Sequence, residues 1–149
     1  MTTEERQMTR DYLNRLIIFN RELNDVLERR DVILERAKNP SIQYSSDRVQ
    51  TSNISDIVAK AVIEAEYLQW KADQMTDEYV SMKENLLSEI KQIRKEKYQK
   101  ILEEKYVKEV KTSEIADRYD LTYRTCMNWL YAGEEGFFEV FKHKILCYA

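Results

Sequence analysis

Arg124 and Asn128 stand four residues apart, so a helix through this stretch carries both on one face. The pairing has a chemical use. A guanidinium fork matches the two acceptors that guanine shows in a major groove, and an asparagine amide can pair twice with adenine. Thr122, Tyr123 and Met127 share the outward side, adding hydroxyls and surfaces that suit thymine methyls. Lys108, Lys111 and Arg118 flank the stretch and are placed to hold phosphates. Each of these residues also has a plainer reading as a solvated side chain on a charged helix.

Such a face needs a scaffold, and the run Thr112 to Trp129, T-S-E-I-A-D-R-Y-D-L-T-Y-R-T-C-M-N-W, reads as a helix-turn-helix. Ile115 and Ala116 fall in the middle of the first helix, where a small residue lets the second cross close by. Tyr119 closes that helix, Asp120 makes the turn and Leu121 plugs the corner. Cys126 and Trp129 are expected to face back onto the first helix, which completes a motif core of Ile115, Ala116, Tyr119, Leu121, Cys126 and Trp129. The turn requires a residue of positive φ, and aspartate tolerates that conformation at modest cost. Thr112 is the expected N-cap, with Glu114 in the first turn to suit the positive helix end.

The rest of the chain reads as long helices. From about Glu4 to Lys38 the series Leu13, Leu16, Leu23, Leu27, Leu34 and Ala37 recurs in steps that fit a helical stripe. Asn39-Pro40 ends it, since proline disfavours helix at the residue before it. A polar loop is expected over about 39–52. A second helix starts near Asn53 or Ser55 and carries Ile54, Val58, Ala61, Ala65, Leu68, Ala72, Met75, Tyr79, Met82 and Leu86 in alternating steps of four and three. That seam serves either an intramolecular antiparallel hairpin or a homodimer. Its phase slips at Ile90 and Ile93, which predicts a boundary near 87–96. A third helix is expected over Tyr98–Val107. Gly133 and Gly136 permit a break before a short terminal helix built on Phe137, Phe138 and Phe141. The fold class is therefore all-α. Residues 1–90 form a helical hairpin or coiled-coil oligomerisation region, and 91–149 the helix-turn-helix domain.

Composition agrees with that class and narrows the function. The chain has 149 residues with two Gly and one Pro, which disfavours a turn-rich β fold. No apolar run approaches the length needed to span a bilayer and the N-terminus carries no signal segment, so the expected setting is cytoplasmic with no membrane partner. Net charge is −3, but residues 1–90 hold 12 Lys+Arg against 17 Asp+Glu, whereas 91–132 hold 10 against 7. The positive segment coincides with the expected DNA-reading region. Cys126, Cys147 and a lone His143 lack ligand spacing, so no metal and no cofactor is expected. No phosphate loop or nucleophile elbow occurs, and an enzyme is not expected.

The segment I-L-E-E-K-Y-V at Ile101–Val107, then T-S-E-I-A-D-R-Y-D-L-T-Y-R-T, then an aromatic C-terminal helix, resembles the promoter-reading domain of sigma factors. It looks more specifically like the ArpU/RinA group of phage late-gene transcriptional regulators. Val49-Gln50-Thr51-Ser52 ahead of a long helix is a further point of likeness. The resemblance covers about residues 90–145 and implies a phage or prophage regulator that binds DNA upstream of late genes, with contact to RNA polymerase as a further implication. On it, Thr122, Tyr123, Arg124, Met127 and Asn128 match the DNA-facing helix. The sequence departs from the group in its Glu134-Glu135 pair and its two glycines.

Three functions follow as expectations. The first is a sequence-specific DNA-binding transcriptional regulator, working as a homodimer through the N-terminal helices and reading two half-sites of double-stranded DNA. The second is a helical interaction module that grips RNA polymerase or another protein without touching DNA. The third is a phage DNA-packaging recognition subunit, in which rings replace dimers.

Overall fold

A computed structural model of the chain describes residues 1–38 and 51–148, the side chains of 51–54 excepted. The protein is all-α. Helix α1 spans Thr3–Lys38, α2 Thr51–Ile90, α3 Glu96–Leu102, α4 Thr112–Arg118 and α5 Tyr123–Tyr148. A π-helical turn, Glu103–Val107, continues α3. No helix among the described residues is long and apolar enough to cross a membrane. The loop expected over 39–52 falls, for 39–50, outside the described residues. Helix α2 begins at Thr51, ahead of the Asn53 and Ser55 caps expected for it.

Local chemistry explains the start of α1. Thr2 and Glu5 form a reciprocal capping box: the Glu5 N–H donates to Thr2 Oγ1 at 3.1 Å and the Thr2 N–H to Glu5 Oε2 at 2.8 Å. That backbone donor holds the Glu5 carboxyl below its ordinary pKa.

The chain divides into two compact units, and the division does not fall at residue 90. One comprises 1–19 with 79–149, the other 20–78. In the second unit the heptad seam is used within the chain. Ala65, Leu68 and Ala72 are buried, as is Leu23 of α1, and the Arg30 guanidinium donates to the Gln69 side-chain oxygen. The alanines of the seam permit close helix packing.

The first unit is built around α5. Its inward positions Cys126, Leu130, Phe137, Phe141 and Ile145 share a core with Leu13 and Leu16 of α1, Leu86 and Ile90 of α2, Ile93, Ile101, Leu102, and Ile115 and Ala116 of α4. Rings cluster there: Phe137 packs tilted against Phe141 with centroids 4.8 Å apart and lies 5.9 Å from Tyr12. The expected break at Gly133–Gly136 is absent, and α5 runs through both glycines. Gly133 is favoured by proximity. A Cβ there would sit 3.2 Å from Leu102 Cγ, so the missing side chain lets α5 approach the end of α3. The helix is interrupted later, at Phe141, whose φ −114° and ψ 21° are non-helical.

Three carboxylates are buried in this unit, each with cationic or phenolic partners. Glu134 receives Arg10 Nε on both oxygens at 3.2 Å and the Tyr106 hydroxyl on Oε1 at 2.7 Å. Glu89 receives the Tyr12 hydroxyl and an Arg15 N–H, each at 2.7 Å. Glu104 receives Arg118 at 2.8 Å and Lys108 at 3.2 Å. Burial and the adjoining carboxylate push the Tyr106 phenol well above its ordinary range, and push Tyr12 up to about 12.

Two measurements test these pins. Glu134→Ala leaves Arg10 and Tyr106 without their acceptor, and a urea melt is expected to show a loss of about 3 kcal/mol, moderated because Arg10 is partly exposed. A tyrosine whose neutral form is favoured by folding adds stability in full below pH 10, and loses it as pH rises towards 12. An ultraviolet titration of the ten tyrosines should therefore show late-ionising phenols that account for Tyr12 and Tyr106, with one fewer in Tyr12→Phe. Coincident ionisation of all ten near pH 10 contradicts this.

Candidate nucleic-acid interface

The corner between α4 and α5 is made by backbone hydrogen bonds around one strained residue. Asp120 has φ 54°, the left-handed value expected for it from sequence. The Leu121 N–H donates to Ala116 C=O at 2.8 Å, and the Asp120 N–H to Asp117 C=O at 3.3 Å. This is the Schellman pattern, with Asp120 in the position that glycine normally fills. Leu121 then packs, partly buried, against the core.

Helix α5 starts with a cap on the far side of that corner. Thr122 Oγ1 accepts the Thr125 N–H at 3.2 Å and donates to Thr125 Oγ1 at 2.8 Å. Thr122 was expected to read bases, but its hydroxyl is committed to capping the helix. Met127 is likewise not free, being half-buried against the core. Tyr123, Arg124 and Asn128 are exposed, and 59% of Tyr123 is open to solvent. No hydrogen bond or ion pair engages Arg124 or Asn128 among the described residues, and no later part of α5 buries them.

Of the expected motif core, Tyr119 is exposed and Trp129 packs against the core only at its edge. Ile115, Ala116 and Cys126 are fully buried as expected, but Tyr119 is 38% exposed and Trp129 only half-buried. Leu130 takes the inward place instead. The reason is the length of α5. Its core stripe follows the whole helix through Cys126, Leu130 and Phe137, and Trp129 lies at the edge of that stripe. There it lines a groove of about 300 Å³ with Glu96, Lys97, Lys100, Ile101 and Tyr119. Lys97 Nζ sits 4.9 Å from the Trp129 ring centre.

The cations around the corner are partly spent on the protein itself. Glu104 is 8% exposed and holds both Lys108 and Arg118. The π-turn brings this about. An N–H five residues on, that of Lys108, bonds to Glu103 C=O at 3.0 Å, and Glu104 and Tyr106 both turn inward. Lys111 remains exposed without an ion pair among the described residues, and it serves as N-cap of α4 in place of Thr112. Thr112 Oγ1 instead accepts Lys105 Nζ at 3.3 Å. Cys126 donates its thiol towards Thr112 C=O at 3.7 Å, and burial pushes its pKa up against the opposing pull of Lys105.

Sequence reasoning passed over Arg10, Tyr106 and Glu134, which hold α5 in place. A signal existed for Glu134. It falls at helical spacing between Leu130 and Phe137, on a stripe that is otherwise apolar. No family model, curated protein or solved structure matches this chain.

Asp120 offers a test of the corner. Valine there is expected to cost about 1–2 kcal/mol in thermal or urea unfolding, because a β-branched residue resists positive φ. Asp120→Gly should lose nothing. Equal losses in both variants would mean that the aspartate side chain, and not the backbone, carries the corner.

Proposed function

We propose that this chain is a sequence-specific DNA-binding transcriptional regulator of the ArpU/RinA kind, controlling phage or prophage late genes in the cytoplasm. On this reading α4, the Asp120 corner and the start of α5 form its helix-turn-helix. The observation that carries the reading is the two-sidedness of α5. Cys126 and Leu130 bury against the core, while Tyr123, Arg124 and Asn128 stand in solvent beyond a tight corner. An arginine and an asparagine one turn apart on the first turns of such a helix suit guanine and adenine edges in a major groove. Lys111 is the phosphate contact that this arrangement favours. Lys108 and Arg118 can contribute only by sharing their charge with Glu104. The protein works as a homodimer, so that two recognition helices read two half-sites, and it has no catalytic role.

A second reading has an observation of its own. The groove of Tyr119, Trp129 and Ile101 beside Lys97 and Lys100 is suited to a protein surface such as that of RNA polymerase. It would add to DNA binding or replace it.

A mobility-shift titration on phage late-promoter DNA tests the first reading. Binding should weaken steeply with salt, as phosphate contacts require. Arg124→Ala with Asn128→Ala should weaken it at least about 30-fold, the equivalent of about 2 kcal/mol for two lost base contacts. A double variant that binds like the wild type overturns the assignment of these two residues. Absence of binding by the wild type, together with retention of RNA polymerase after nuclease treatment, selects the second reading.

A further inference from the structure

The seam that sequence periodicity offers for pairing two copies is already covered inside the chain, since Ala65, Leu68 and Ala72 are buried. Helix α2 has a second apolar face. Ile63, Tyr67 and Trp70 follow one another in steps of four and three, about half a turn around the helix from that seam. They are 66%, 57% and 58% exposed, and the Tyr67 and Trp70 rings lie 6.1 Å apart. Apolar exposure of this kind is uncommon when nothing covers it. A tyrosine or tryptophan presents roughly 150–250 Å² when fully accessible. Three such half-exposed residues therefore offer on the order of 350 Å², which is already the size of a functional surface patch. Two copies face to face, with the polar rim, reach on the order of 1,000 Å², near the lower bound for a specific interface.

We infer that this chain pairs with a second copy of itself through the Ile63–Tyr67–Trp70 face of α2, with the two helices antiparallel. The inference rests on the homodimer proposed above and assigns its interface. Charge selects the orientation. Glu64 and Lys71 are seven residues apart, on one flank of the stripe and on either side of Tyr67. A two-fold antiparallel crossing centred beside Tyr67, which sets Tyr67 of one copy on Tyr67 of the other, brings Glu64 level with Lys71 of the second copy, twice over. A parallel crossing instead sets Lys60 against Lys60 in line with the stripe. The other flank carries Glu66 and Asp73, and both are turned towards their own chain. Glu66 lines a groove with Arg30 and Leu34 of α1, and Asp73 accepts the Gln69 amide at 2.9 Å.

Light scattering on the full chain over a concentration series, with circular dichroism as the check on folding, tests the face. The wild type should have the mass of two chains and Trp70→Glu that of one, with unchanged helicity. Glu64→Lys should weaken pairing at least about threefold, by placing lysine against lysine, and adding Lys71→Glu should restore it. A wild type that stays monomeric throughout removes the homodimer itself, whatever its DNA binding. A dimer that survives Trp70→Glu keeps the homodimer and removes this face. A dimer lost in Trp70→Glu but indifferent to the charge exchange removes the antiparallel register. An assembly of eight or more chains overturns the two-fold arrangement.

Discussion

A single buried carboxylate ties together the unit that carries the candidate interface. Glu134 lies in the middle of α5 and is 3% exposed. It is tolerable there only because Arg10 reaches it from α1 and Tyr106 from the π-turn. Those partners come from parts of the chain 124 and 28 residues away. Their meeting fixes the rotation of α5 about its axis, because another rotation would part the Glu134 carboxyl from both Arg10 and Tyr106. That rotation in turn decides that Arg124 and Asn128 look outwards. Gly133, one residue earlier, lets Leu102 come close. The pair Glu134-Glu135 is thus one structural residue and one exposed one.

Electrostatics around the corner are more economical than the local count of charges implies. The segment 91–132 has an excess of positive charge, yet Lys108 and Arg118 converge on Glu104. A charge already paired attracts a phosphate less strongly. If the interface reads DNA, long-range attraction is therefore modest and discrimination rests on the short-range contacts of Arg124 and Asn128. The Glu104 cluster has a second effect, bracing α4 against the π-turn that precedes it.

Helix α2 carries two apolar faces, one buried within the chain and one exposed. Its alanine-rich seam is narrow enough for close intramolecular packing, and its aromatic stripe is left on the opposite side. Heptad periodicity identifies the first face because the repeat is long. The second is only three residues, too short to stand out as a repeat. Its meaning depends on knowing that the first face is already occupied.

Helical class, the extent of α1, the positive φ at Asp120 and the burial of Ile115, Ala116 and Cys126 were all determined by the sequence alone. Each depends on neighbours within a few residues: scarce glycine and proline, apolar spacing, and a short polar side chain that tolerates the left-handed conformation. Contacts between distant segments decided the rest. Residues 1–19 join the C-terminal unit, Leu130 and not Trp129 takes the fully buried place, Thr122 caps α5, and α5 runs unbroken through Gly133 and Gly136. None of these is visible locally, because an amphipathic pattern says which side of a helix is buried on average but not what buries it. Only the assembled core, with Arg10 and Tyr106 brought to Glu134, sets the register by which each side chain is covered or left in water.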